Sequence, residues 1–116
     1  MTIPVIVPST AKFNWTDSTT NVDGSGIVAG EVTGFLIGIR STTATGSVAG
    51  TYPINSPSIA ASAVSEAVAL ITPSLQPDSY AAAIKSVGPV NSAWSTEVQF
   101  QIAQPVPNAP TGFTVS

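Results

Sequence analysis

The sequence predicts an all-β domain of short antiparallel strands, and three observations carry that expectation. Apolar and polar residues alternate with period 2 in several short runs, the mark of half-buried strands. Clusters of Gly, Pro, Asn, Asp and Ser separate those runs at short intervals, as turns do in sandwiches and barrels. The 116 residues suit one domain, and 43% of them are hydrophobic, enough for a packed core. Only 8% are charged, and 15 Ser and 14 Thr stand where charged residues ordinarily would.

Residues 3–7 form a first short strand, which Pro4 places at a sheet edge because proline cannot donate to a ladder. Residues 11–16 put Ala11, Phe13 and Trp15 on one face and Lys12, Asn14 and Thr16 on the other. A polar, glycine-bearing loop follows over residues 17–30. In residues 32–40, Phe35, Ile37 and Ile39 share one face. Weaker strands are expected over 46–54 and 67–72. Both faces of residues 80–87 are nearly apolar, which predicts a central strand. Residues 94–102 close the set, with Val98, Phe100 and Ile102 in register. The stretch 58–70 fits both helical and strand spacing, and its all-β flanks favour irregular chain entering a strand.

Six or seven such strands in about 100 residues suggest a seven-stranded antiparallel immunoglobulin-like sandwich. Specific residues sharpen this. Leu75-Gln76-Pro77-Asp78-Ser79-Tyr80 resembles the L-x-P-x-x-Y signature of fibronectin type III domains, of the kind found in phage virion and bacterial surface proteins. Trp15 is similar to that family's core Trp on its second strand. Gly34-Phe35-Leu36-Ile37-Gly38-Ile39-Arg40 looks like the third strand, and residues 80–87 look like the sixth. Asn91-Ser92-Ala93-Trp94-Ser95 resembles the entry to the last. The resemblance covers roughly residues 2–103. It implies that Tyr80 is a tyrosine corner, its hydroxyl bonding back to upstream backbone. Expected core residues are Trp15, Phe35, Ile37, Leu75, Tyr80 and Ile84, together with Val98 and Phe100.

Two units are expected: a fibronectin type III-like sandwich over 1–103 and a proline-rich C-terminal arm or linker over 104–116. Pro105, Pro107 and Pro110 make the arm extended and semi-rigid. Asn108-Ala109-Pro110 and the following Thr-Gly-Phe-Thr-Val-Ser resemble the opening of another domain of the same family. Val106, Thr111, Phe113 and Val115 of the arm, with Ile3 and Val5 at the other end, are the candidate interaction residues.

The composition argues against most catalytic chemistry. Without His or Cys there is no Ser-His-Asp or Cys-His nucleophile system, no His or Cys metal site and no disulfide. Ser9-Thr10-Ala11-Lys12 matches S-x-x-K but lacks the companion motifs of the enzymes that use it. Gly24-Ser25-Gly26 with Gly30 lacks the Lys-Ser/Thr of a phosphate loop. Asp17, Asp23 and Glu31 match no calcium-loop spacing and read as solvated charges. Asn14-Trp15-Thr16 is formally a sequon but lies within a strand. A carboxylate pair for glycoside hydrolysis needs a cleft that so small a sandwich hardly provides. Trp94 or Tyr52 could stack on a sugar, although packing is the plainer role for both.

The expectation is therefore a non-catalytic module with no cofactor and no metal. Lys12, Arg40 and Lys85 are scattered, which argues against a nucleic-acid footprint, and the net charge is −3. The N-terminus has no basic region of an export signal, and no stretch is long and apolar enough for a membrane span. Two extended ends and no export signal fit a phage virion structural protein, a head-decoration or tail-associated subunit assembled in the host cytoplasm. Its partners would be capsid or tail proteins or like subunits, as a homo-oligomer within the assembly. The alternative is an accessory spacer, adhesion or carbohydrate-binding module of a larger secreted bacterial enzyme or adhesin, placed extracellularly or at the cell surface.

Overall fold

A computed structural model of the chain describes residues 3–6, 10–71, 74–104 and 106–116. Val7 of the first predicted strand, Ser9 of the S-x-x-K match, Thr72 and Pro105 lie outside them. The described residues are all-β, with eight short strands in two sheets, where the sequence led us to expect seven strands. The larger sheet runs in the order β1 (Val5–Ile6), β8 (Val98–Ile102), β7 (Asp78–Val87), β3 (Gly34–Ser41) and β4 (Ile54–Asn55). A further strand, β5 (Ile59–Ala60), also pairs with β3. The smaller sheet holds only β2 (Lys12–Asn14) and β6 (Ser65–Ala67). Every pairing is antiparallel except β1 on β8.

β3 and β7 form the spine, paired from Gly34 opposite Val87 to Ser41 opposite Tyr80. The near-apolar β7 sequence fits this central place: Tyr80, Ala81, Ala82 and Ala83 are all buried. From β3, Phe35, Ile37 and Ile39 point into the core as their alternation predicts. Ile59, Val68, Ile71, Leu75, Phe100 and Ile102 complete it. Aromatic contacts join the sheets: Phe13 meets Phe100 edge-on at 5.4 Å, and Trp15 meets Phe35 at the same separation. Tyr80 is buried, and its hydroxyl donates to the Gln76 carbonyl at 2.5 Å, as expected.

Several expectations need correction. Val98 is 56% exposed and outside the core, whereas Trp15 and Ile84 pack against it while staying only half-buried. The reason is the size of the second sheet: its two three-residue strands do not cover the whole inner face of the first. Of residues 46–54, only Ile54 enters a strand, because the preceding residues turn through Gly46 (φ 77°) and Gly50 (φ 95°). The 58–70 stretch takes the strand-like course, through β5, a turn and β6. It then closes in a 3-10 turn, Val68–Leu70, where strand was expected, and this turn precedes the buried Ile71.

The last strand is shorter than expected. Ladder pairing starts at Val98, and residues 92–95 are tied to β7 differently. Ser95 N–H donates to the Ile84 carbonyl (2.8 Å), while Ile84 N–H returns to Ser95 Oγ (3.0 Å). Ser92 and Ser86 repeat the arrangement, with Ser86 N–H on Ser92 Oγ at 2.8 Å. Serine hydroxyls thus accept where a regular ladder would offer carbonyls.

Candidate functional site

The C-terminal arm carries three of the large apolar residues that the described part of the chain leaves exposed. β8 ends at Ile102, and Ala103 makes a last backbone bond, its N–H to the Ile6 carbonyl at 3.3 Å. Beyond it the described arm residues lie in the open, with Val106, Phe113 and Val115 at 88, 98 and 97% exposure. Thr111 is exposed beside them. Pro107 and Pro110 have no N–H to donate, so the arm around them cannot run as an ordinary ladder strand, whereas residues 111–116 contain no proline. The arm gives the molecule principal extents of 78 × 31 × 27 Å.

The N-terminal candidates sit beside the root of the arm. Gln101 N–H donates to the Pro4 carbonyl (2.8 Å), which seats β1 on β8. Val5 is exposed and Ile3 half-buried. Ile3 borders an open groove with Tyr52, Trp94 and residues 95–99. Ile3 and Val5 thus lie together along β8, whereas Phe113 and Val115 stand well away in the arm.

On the outer face, the structure assembles a cluster that sequence reasoning did not find. Arg40 grips Glu97 with a two-pronged contact, Nε to Oε2 at 2.8 Å and Nη2 to Oε1 at 2.7 Å. Tyr52 Oη donates to Glu97 Oε2 at 2.8 Å, and Arg40 Nη1 donates to Ser47 Oγ at 3.0 Å. The Arg40 hydrogen bonds hold the Glu97 carboxyl below its usual range, against the opposing effect of burial. Burial raises the Tyr52 phenol, and its bond to Glu97 pushes the same way. Trp94 packs against Tyr52 at 4.7 Å, with Lys85 Nζ 4.6 Å from its ring centroid. Both oxygens of Glu97 are engaged, and Trp94 already has two partners. The arrangement buttresses a sheet face and offers a sugar little free donor or acceptor capacity. The two opposite charges were the available signal, but Arg40 and Glu97 lie 57 residues apart.

Between the sheets lies an apolar gap of about 280 Å³, bordered by Phe13, Trp15, Ile37, Ala82, Ile84 and Val98 among others. The indole Nε1–H of Trp15, one of the residues at its border, is buried without an acceptor. An unpaired buried donor costs about 1–3 kcal/mol, so this is an unsatisfied position in the fold.

The other flagged residues have local roles. Asp23 accepts from Ser25 N–H (2.9 Å) and Ser25 Oγ (2.6 Å), and Glu31 accepts from Val28 N–H (2.7 Å) and Asn21. Asp17 is exposed, and among the described residues no three acidic side chains gather as a metal site. Gly24 and Gly30 take positive φ in the loop. Lys12 and Asn14 stand on the exposed side of β2. No helix among the described residues is long and apolar enough to cross a membrane. Comparison with protein-family models, curated proteins and solved structures finds no match for this chain.

Proposed function

We propose that the chain is a non-catalytic structural and interaction subunit, a fibronectin type III-like sandwich that holds protein partners through its extended ends. The observation that carries this reading is the arm, whose Val106, Phe113 and Val115 are almost wholly exposed and have no place in their own fold. Leaving a large apolar side chain in water forfeits about 1.5–3 kcal/mol of available burial. An arm that presents two such groups on alternate residues is suited to adding along a sheet edge of a partner.

The family assignment draws support from the Tyr80–Gln76 bond and from a two-stranded sheet facing a larger, mostly antiparallel one. Within that reading, the chain works in a phage virion as a head-decoration or tail-associated subunit, assembled in the host cytoplasm. Its partners are capsid or tail proteins or copies of itself, and it needs no cofactor, nucleic acid or membrane. The resemblance of residues 108–116 to the opening of a second domain favours one other reading, a spacer or adhesion module of a larger extracellular bacterial protein.

The test is deletion of residues 105–116 in the producing virus, with immunodetection of the protein in purified particles. The expected result is a soluble, folded domain that no longer enters particles. Unchanged incorporation would reduce the arm to a linker, and absence of the intact protein from particles would overturn the virion role.

A further inference from the structure

We propose that the free edge of β2, with the apolar gap behind it, is the receiving site for the arm of a second copy of this chain. This rests on reading the arm as the interaction element and names its partner.

The acceptor is defined by three features. Trp15 N–H donates to the Val64 carbonyl and Val68 N–H to the Ala11 carbonyl, so odd-numbered residues of β2 turn their backbone groups to β6. By alternation, Lys12, Asn14 and Thr16 turn theirs the other way. Among the described residues no strand pairs with that edge, because β1, the short N-terminal strand, is spent on β8. Behind the edge lies the gap, with the 56%-exposed Val98 and half-buried Trp15 and Ile84 at its border. A strand laid along the edge would cover them.

The donor matches in pattern and in charge. Thr111-Gly112-Phe113-Thr114-Val115-Ser116 alternates as a half-buried strand does, with Phe113 and Val115 on one side and Thr114 between them. Neither the arm from residue 104 nor the lining of the gap carries a charged side chain, so the burial strands no ionised side chain.

The exposure of Phe113 and Val115, which pack on no part of their own fold, points to a second copy. The arm leaves beyond Ile102, at the end of β7 marked by Asp78. Phe13 of β2 touches Phe100, and Trp15, just past the strand, touches Phe35 near the other end of the spine. The arm leaves at the end where its own β2 begins and still does not lie on that edge, which leaves the edge open to the arm of another copy. A strand of six residues, with about 150–250 Å² from its aromatic ring, stays below the roughly 1,200 Å² of strong interfaces. Each contact is therefore weak and gathers strength by repetition in an assembly.

The experiment uses the full chain, which has no cysteine to interfere. Sedimentation velocity over a concentration series should show dimers and longer species, and Phe113→Asp should raise the concentration needed for them at least tenfold. Asn14→Cys chains mixed with Thr114→Cys chains should form a disulfide-linked heterodimer under mild oxidation. The exposed control Ala44→Cys should not do so with Thr114→Cys. Absence of association at any attainable concentration, or association indifferent to Phe113→Asp, overturns the proposal. A 14–114 disulfide formed within one double-variant chain in preference to between chains also overturns it. Association that depends on Phe113 without the 14–114 link rejects β2 as the receiving edge. That last result leaves the arm's role in binding partners standing, a role that the particle-incorporation assay reads separately.

Discussion

Tyr80 and Gln76 are joined by a hydrogen bond of 2.5 Å from phenol to carbonyl, closing the turn that leads into β7. The Tyr80 ring also stacks on Phe100 at 5.5 Å, so one side chain anchors both the turn and the core. Tyr80→Phe keeps the ring and loses the bond, and should cost about 1 kcal/mol, the net worth of one such bond. Tyr80→Ala should cost about 3–5 kcal/mol, as large aromatic truncations do. Urea denaturation of the two variants checks this. Equal losses would show that the hydroxyl, and not the ring, carries the stability.

Gly38 permits the outer-face cluster. A Cβ there would stand 2.6 Å from Tyr52 Cβ and 2.9 Å from Trp94, closer than real side chains approach. Gly38→Ala should therefore destabilise the domain by about 1–3 kcal/mol through overpacking, despite the usual gain from replacing a strand glycine. It should also change the near-ultraviolet signal of Trp94. Unchanged stability and signal would mean that Tyr52 and Trp94 move aside freely.

The Arg40–Glu97 contact predicts a pH dependence. Arg40 depresses the Glu97 carboxyl in the folded chain, so the unfolded chain binds the proton more readily. Its contribution is complete above the ordinary Glu value of 4.5 and is lost as pH falls through the lowered folded value. Asp78, depressed by hydrogen bonds from Ser41, Ser79 and Thr43, acts in the same direction below 3.8. Glu97→Gln should lower the urea midpoint at neutral pH and flatten its fall between pH 5 and acid. A midpoint that falls as steeply in the variant would assign the acid sensitivity to other carboxylates.

The arrangement of strands was legible where it depends on neighbours along the chain. Alternation at 11–16 and 32–40 predicts which faces are buried, because a strand repeats every two residues, and the two nearly apolar faces of 80–87 predict its central place. Tyr80 and Gln76 are four residues apart, so their bond too could be expected from a local motif. The arm could be read as extended and unpartnered, since three prolines and three isolated apolar residues, Val106, Phe113 and Val115, leave it little else to do.

What only the tertiary structure decided depends on which segments meet across distance. Whether Trp15, Ile84 and Val98 are covered turns on how many strands the second sheet has, and no alternation pattern contains that number. The choice of β1 for β8 over β2 is of the same kind, a competition between two edges for one short strand. Arg40 and Glu97 meet because β3 and the entry to β8 lie on either side of β7 in one sheet. Periodicity says which way a side chain faces; the packing of the sheets determines what it meets there.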